Sequence, residues 1–202
     1  MTHTNICRLT FAISLLIASF GVSAQSKDYT TITFWQHDSA KIITKSTDSI
    51  ILKKQPFSIT FYSKRYDSKN EKYHALQVAV LKDAADTLKL VVGKSIEDIP
   101  YLASGSGMAT GASGLYDAMM IDNEGHHYLY YEDEAERRVS RVAIVKELLE
   151  LEWQISGAFM DNEDVSLSDL KLPALYFVFF ADRNLNEAID QHEIKIVKVR
   201  FR

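Results

Sequence analysis

The sharpest run of chemistry-bearing residues is Asp182-Arg-Asn184-Leu-Asn186-Glu-Ala188-Ile-Asp190-Gln-His-Glu193. Counted from Asp182, oxygen side chains fall at positions 1, 3, 5, 9 and 12, with aliphatic Ile189 at position 8. Calcium takes about six to eight oxygen ligands, and a loop with this spacing can wrap one ion. Carboxylates and amides suit such a hard cation. Soft or redox metals prefer sulfur and imidazole.

Over these 12 residues, and no others, the stretch resembles the EF-hand calcium loop. The resemblance implies that Asp182, Asn184 and Asn186 bind directly and that Ala188 offers its carbonyl. Asp190 would act directly or through water, and Glu193 would bind with both carboxylate oxygens. Two residues depart from the pattern. Glu187 stands where the EF-hand has glycine for a sharp turn, and a positive φ is costly for a residue with a side chain. Leu185 is bulky at the fourth position. The flanks, 177–181 and 194–201, read as strands and not helices. The expectation is a structural calcium ion that pins two core strands together, with no other cofactor.

Other candidates carry less chemistry. Residues 104–114 contain Gly105, Gly107, Gly111 and Gly114, but no lysine follows as in a phosphate-binding loop. The segment reads as a surface loop that can order on a partner. His126, Tyr128 and Tyr130 share one face of a strand by alternation and form a candidate contact stripe for a protein or sugar. Asp161 and Glu163 are near enough in sequence for acid–base work, yet a polar turn explains them. His192-Glu193 lacks the second histidine of a zinc protease, and no G-x-S-x-G elbow is present. No catalytic residue is assigned.

These candidates sit in a chain that begins like an exported protein. Arg8 precedes an apolar run, Leu9–Phe20, and Val22-Ser23-Ala24 supplies a small-x-small cleavage pattern before Gln25. Residues 1–24 are read as a secretory signal peptide. The run is too short for a membrane anchor, which needs about 20 apolar residues. Cys7 precedes it, so lipid attachment there is not expected. The expected location is periplasmic or secreted, without membrane association after cleavage.

Cleavage leaves 178 residues, 25–202, read as a single β-rich domain. Arg8 is the only charged side chain lost, so 22 basic residues face 27 acidic ones, a net −5. That balance argues against nucleic acid as a partner. With Cys7 removed no cysteine remains, which excludes disulfides, thiol catalysis and thiolate-bound zinc.

Period-two alternation organises the rest. It marks strands at 31–36, 57–62, 76–80, 88–92, 149–155 and 197–201. Leu175–Phe180 is apolar on both faces and reads as a central covered strand. Asp122-Asn-Glu-Gly125 marks a hairpin. Residues 142–152 are rich in helix formers, but the alternation from Leu149 favours two strands turning at Lys146-Glu147. A short helix is expected near 95–102, capped by Ser95 with Asp98 three residues on. The expected fold is all-β: an antiparallel β-sandwich with Greek-key, immunoglobulin-like or jelly-roll-like connections, with a β-barrel as the alternative. The functional expectation is a non-enzymatic protein that binds a protein or glycan in the cell envelope. The alternatives are a periplasmic immunity or inhibitor protein and a hydrolase with an unrecognised site.

Overall fold

Alternating apolar residues become pleated strands over most of the described residues. The computed structural model describes residues 31–43, 47–64, 76–99, 102, 119–121, 127–128, 140–145, 148–160 and 163–202. Within these, the strands run β1 (Ile32–Gln36), β2 (Ser39–Ile43), β3 (Thr47–Leu52), β4 (Phe57–Lys64) and β5 (Gln77–Leu81). They continue as β6 (Met119–Ile121), β7 (His127–Tyr128), β8 (Ser140–Val145) and β9 (Leu148–Ile155). The last are β10 (Gly157–Met160), β11 (Glu163–Ser166), β12 (Ala174–Phe180) and β13 (Ile194–Phe201).

Three sheets form, and none closes into a barrel. The first has the order β2-β1-β4-β9-β8, the second β3-β13-β12-β5 and the third β11-β10-β6-β7. All pairings are antiparallel except β3 with β13. Among the described residues, no helix is long and apolar enough to cross a membrane. The architecture is all-β and sandwich-like, as expected.

The main core lies between the first two sheets. Leu149, Leu151, Trp153 and Ile155 of β9 are buried, opposite Leu175, Phe177 and Phe179 of β12. Phe177 meets the rings of Phe34 (5.6 Å), Phe57 (6.1 Å) and Trp153 (6.4 Å) edge to face. Such offset geometry is the favoured one for aromatic rings. The second sheet buries its other face too. Ala79, Leu81, Val178 and Phe180 pack there with Ile96, Ile99, Leu102 and Ile189. This is why β12 is apolar on both faces and why β5 is buried throughout, not half-buried as its alternation implied.

The two-strand reading of 142–152 holds, since β8 and β9 pair antiparallel with a bulge between Arg141 and Ala143. The strands flanking the expected hairpin turn pair as β6 and β7, while residues 122–125 themselves lie outside the described residues. The expected strand at 88–92 is absent. Asp83 accepts a hydrogen bond from the Ala85 N–H at 2.8 Å and starts a short helix, α1 (Ala84–Thr87), whose end turns into irregular chain. Leu88 and Val92 are exposed, and only Leu90 packs, against the second core. Three alternating residues are too few to dictate a strand when a capped helix precedes them. Near 95–102 the helix is one 3-10 turn, Ile96–Asp98, and the Ser95 side chain does not cap it. Ser95 is instead bridged to Ala188, and its hydroxyl donates to the Glu187 carbonyl at 3.5 Å.

Candidate functional site

The twelve-residue loop joins β12 to β13 and so hangs from the centre of the second sheet. Its neck is closed by the Ala181 N–H donating to the Glu193 carbonyl at 3.0 Å. Asp182 accepts from the Asn186 N–H (3.2 Å) and the Glu187 N–H (2.9 Å), one on each carboxylate oxygen. Asn184 Oδ1 accepts from the Asn186 N–H (3.2 Å), and Asn186 Oδ1 from the Ala188 N–H (3.0 Å). Both amide Nδ2 groups donate to Asp190 Oδ2, at 2.6 and 2.9 Å. The short polar side chains thus fold the backbone around themselves, as Asp and Asn do in turns.

Glu193 closes the loop from the other end. It is buried at 9% exposure. Its Oε1 accepts from the Arg183 N–H at 2.7 Å and its Oε2 from the Asp190 N–H at 3.1 Å. A carboxylate has about four lone-pair sites, so both oxygens retain acceptor capacity.

The two departures from the EF-hand pattern fall on special backbone. Leu185 has φ 58° and Glu187 has φ 60°, both left-handed. A side chain in that region costs roughly 1–2 kcal/mol. Surrounding structure must hold such a residue in place. For Glu187 the N–H is held by Asp182 and the carbonyl accepts from the Ile96 N–H at 3.0 Å. The turn that glycine makes in an EF-hand is made here by a tied-down glutamate.

The expected ligands are therefore gathered in one loop. The Ala188 N–H donates to Asn186, while its neighbours Glu187 and Ile189 make the backbone bonds of the bridge to the Ser95 segment. Among the described residues, no group of three or more His, Cys, Asp or Glu side chains is placed to hold a metal. A fit to calcium therefore needs the amide and carbonyl oxygens as well as Asp182, Asp190 and Glu193. That mixed donor set is the kind calcium accepts.

The loop is also part of the core. Ile189 is fully buried in the second cluster. Its N–H donates to the Lys94 carbonyl at 2.9 Å, and its carbonyl accepts from the Gly93 N–H at 2.7 Å. The aliphatic residue at position 8 thus ties the loop to the second core.

The other sequence candidates are not placed in this way. Gly105, Gly107, Gly111, Gly114, His126 and Tyr130 lie outside the described residues, as do residues 1–24 and Gln25. Tyr128 belongs to β7. Asp161 also lies outside, whereas Glu163 begins β11.

Sequence reading missed two surface features. One is a groove of about 650 Å³ lined by the β1–β2 turn, β2, β3 and the end of β13. Lys41, Lys53, Arg200 and Arg202 line it, with Asp38 as the carboxylate among the described lining residues. These charges come from distant parts of the chain, so no local pattern announces them. The other is Trp35, 42% exposed on the outer face of the first sheet, beside a shallow hollow lined by Ser58, Glu152 and Gln154. Its place on the polar side of the β1 alternation was the available signal. Comparison with protein families, with curated proteins and with solved structures finds no match to this chain.

Proposed function

We propose that the chain is an exported, non-enzymatic β-sandwich protein that binds a protein or glycan partner in the cell envelope, stabilised by one calcium ion. The groove between the β2 and β3 edges carries the binding half of this reading. It is open, of ligand-binding size and built on rigid strands. Trp35 favours the glycan arm, because an exposed indole with polar neighbours can stack on a sugar ring.

The calcium half rests on the loop. Asp182, Asn184, Asn186, Asp190 and Glu193 would hold the ion, with the Ala188 carbonyl. The ion would offset the mutual repulsion of three carboxylates and tie β12, β13 and the 93–96 segment together. Its part is structural. The signal-like residues 1–24 support export to a compartment where calcium is available.

The test is capture by the immobilised protein from its own envelope fraction in calcium, run beside a glycan array. Expected is one retained protein or one glycan class, displaced by free protein. An empty column and a blank array, together with turnover of a hydrolase substrate, would replace this reading with the enzymatic one.

A further inference from the structure

The groove is built on a free sheet edge, and its backbone pattern can be read. Among the described residues, β3 is the outer strand of the second sheet and pairs with β13 alone. The Arg202 N–H donates to the Leu52 carbonyl at 3.0 Å, and the Lys54 N–H to the Arg202 carbonyl at 3.2 Å. Residues 52 and 54 therefore turn their polar groups toward β13. In a strand the N–H and C=O of one residue share a side, and neighbours alternate. Residues 49, 51 and 53 consequently face the groove.

At one end of that edge a side chain already imitates a strand. The Lys53 N–H donates to Gln36 Oε1 at 2.7 Å, while Gln36 Nε2 donates to the Lys53 carbonyl at 3.0 Å. At the other end the Ser49 N–H donates to Asp48 Oδ1 at 2.8 Å. Between these stops lie the N–H and C=O of Ile51 and the C=O of Ser49. Among the described residues, none is set against them. The edge from Ser49 to Lys53 spans about 16 Å at the usual strand rise.

The charged side chains around the edge are mostly cationic. Arg200 sits beside Ile51 in register, and Lys41 lies across the groove on β2, paired with inward-facing Phe34. Lys53 and Arg202 complete the set, against Asp38. This is an exception on a chain whose net charge is −4.

We propose that this groove takes an extended acidic segment of a partner protein, which adds as a strand to the free edge of β3. The edge offers a donor and acceptors in alternation, and a peptide backbone returns both. A polyanionic saccharide or a phosphate would answer the cations but offers no backbone ladder to pair with the edge. Opposite charge would steer the segment in and fix its direction. This inference rests on the partner-binding reading above and names the partner's chemistry.

The test uses the purified protein and a fluorescein-labelled ten-residue peptide of alternating Glu and Thr. The comparison ligands are the same peptide N-methylated at alternate residues, a Lys–Thr peptide and a sulfated oligosaccharide. Expected is binding of the Glu–Thr peptide that falls at least tenfold on N-methylation, is absent for Lys–Thr and weakens with salt. The exposed double variant Lys41→Glu/Arg200→Glu, checked for folding by circular dichroism, is expected to lose it at least tenfold. Equal binding of the N-methylated peptide, or of the sulfated sugar alone, overturns the strand-addition claim. So does self-association that the double variant abolishes, which would make a second copy the occupant. If envelope capture retains a partner that the double variant still binds, this inference fails and the broader reading stands. If the peptide binds as expected while capture and array stay empty, the groove claim stands and the broader reading fails.

Discussion

Replacing Phe177 with alanine is expected to cost about 3–5 kcal/mol, the range for removing a buried aromatic ring. At roughly 2–4 °C per kcal/mol for a chain of this size, the melting temperature should fall by about 6–20 °C. Phe177 is fully buried at the middle of β12, between Val80 of β5 and Val197 of β13. It also touches Phe34, Phe57 and Trp153 across the sandwich. Its loss removes contacts through which the two sheets lean on each other, and these three rings cannot collapse into the space at once. Val142, an exposed residue at the β8 bulge, is the control. Its alanine variant should stay within about 0.5 kcal/mol of the parent. Equal melting of the two variants would mean that the core is not where it is placed here.

The second large effect is expected at Glu193. Glu193→Ala removes a buried carboxylate and strips the acceptors from the Arg183 and Asp190 N–H groups. Arg183 is exposed and Asp190 half-buried, so water can reach these donors, and the loss should cost about 1–3 kcal/mol in all. Glu193→Gln separates two roles. It keeps a carbonyl acceptor and the side-chain volume but removes the charge and the bidentate grip on a cation. Expected is a glutamine variant that loses less than the alanine form, about 1–2 kcal/mol for the one N–H that its amide nitrogen cannot serve, yet gains nothing from calcium. The readout is thermal melting of parent, alanine and glutamine forms with and without the ion. A glutamine variant that still responds fully to calcium would place any ion elsewhere.

How far the fold could be read depended on the length of each pattern. Four alternating residues, Leu149, Leu151, Trp153 and Ile155, all turn inward as β9, because a strict run of that length has one buried face to satisfy. Leu88, Leu90 and Val92 show the same period over too short a span. Asp83 and the helix-forming Ala84-Ala85 decide that region instead. Strand β3 carried no readable period, since Ile50, Ile51 and Leu52 are apolar in a row. Its parallel partner, β13, lies about 150 residues away, and only the folded topology brings the two together.

The same distinction explains the sites. The Asp182–Glu193 loop was legible because every expected ligand lies within twelve consecutive residues. Even its anomaly was visible: Glu187 was marked as wrong for a left-handed turn, and it adopts one at φ 60°. The tie from Glu187 to Ile96 that holds this turn was not visible, because it spans separate parts of the chain. The groove was invisible for a related reason. Its cations reach one place through a hairpin, an edge strand and the C-terminal end of β13.

The loop is the point where motif, strained turn and second core meet, since Glu187 makes the turn and Ile189, two residues on, enters that core. Thermal melting of chelator-treated protein, alone and after restoring calcium to about a hundredfold above its dissociation constant, tests that junction most directly. An ion bound only by the folded loop should add about 2.7 kcal/mol and raise the melting temperature by roughly 5–10 °C. A melting temperature that calcium leaves unchanged would contradict it, and the loop would then be a hairpin held by its own hydrogen bonds.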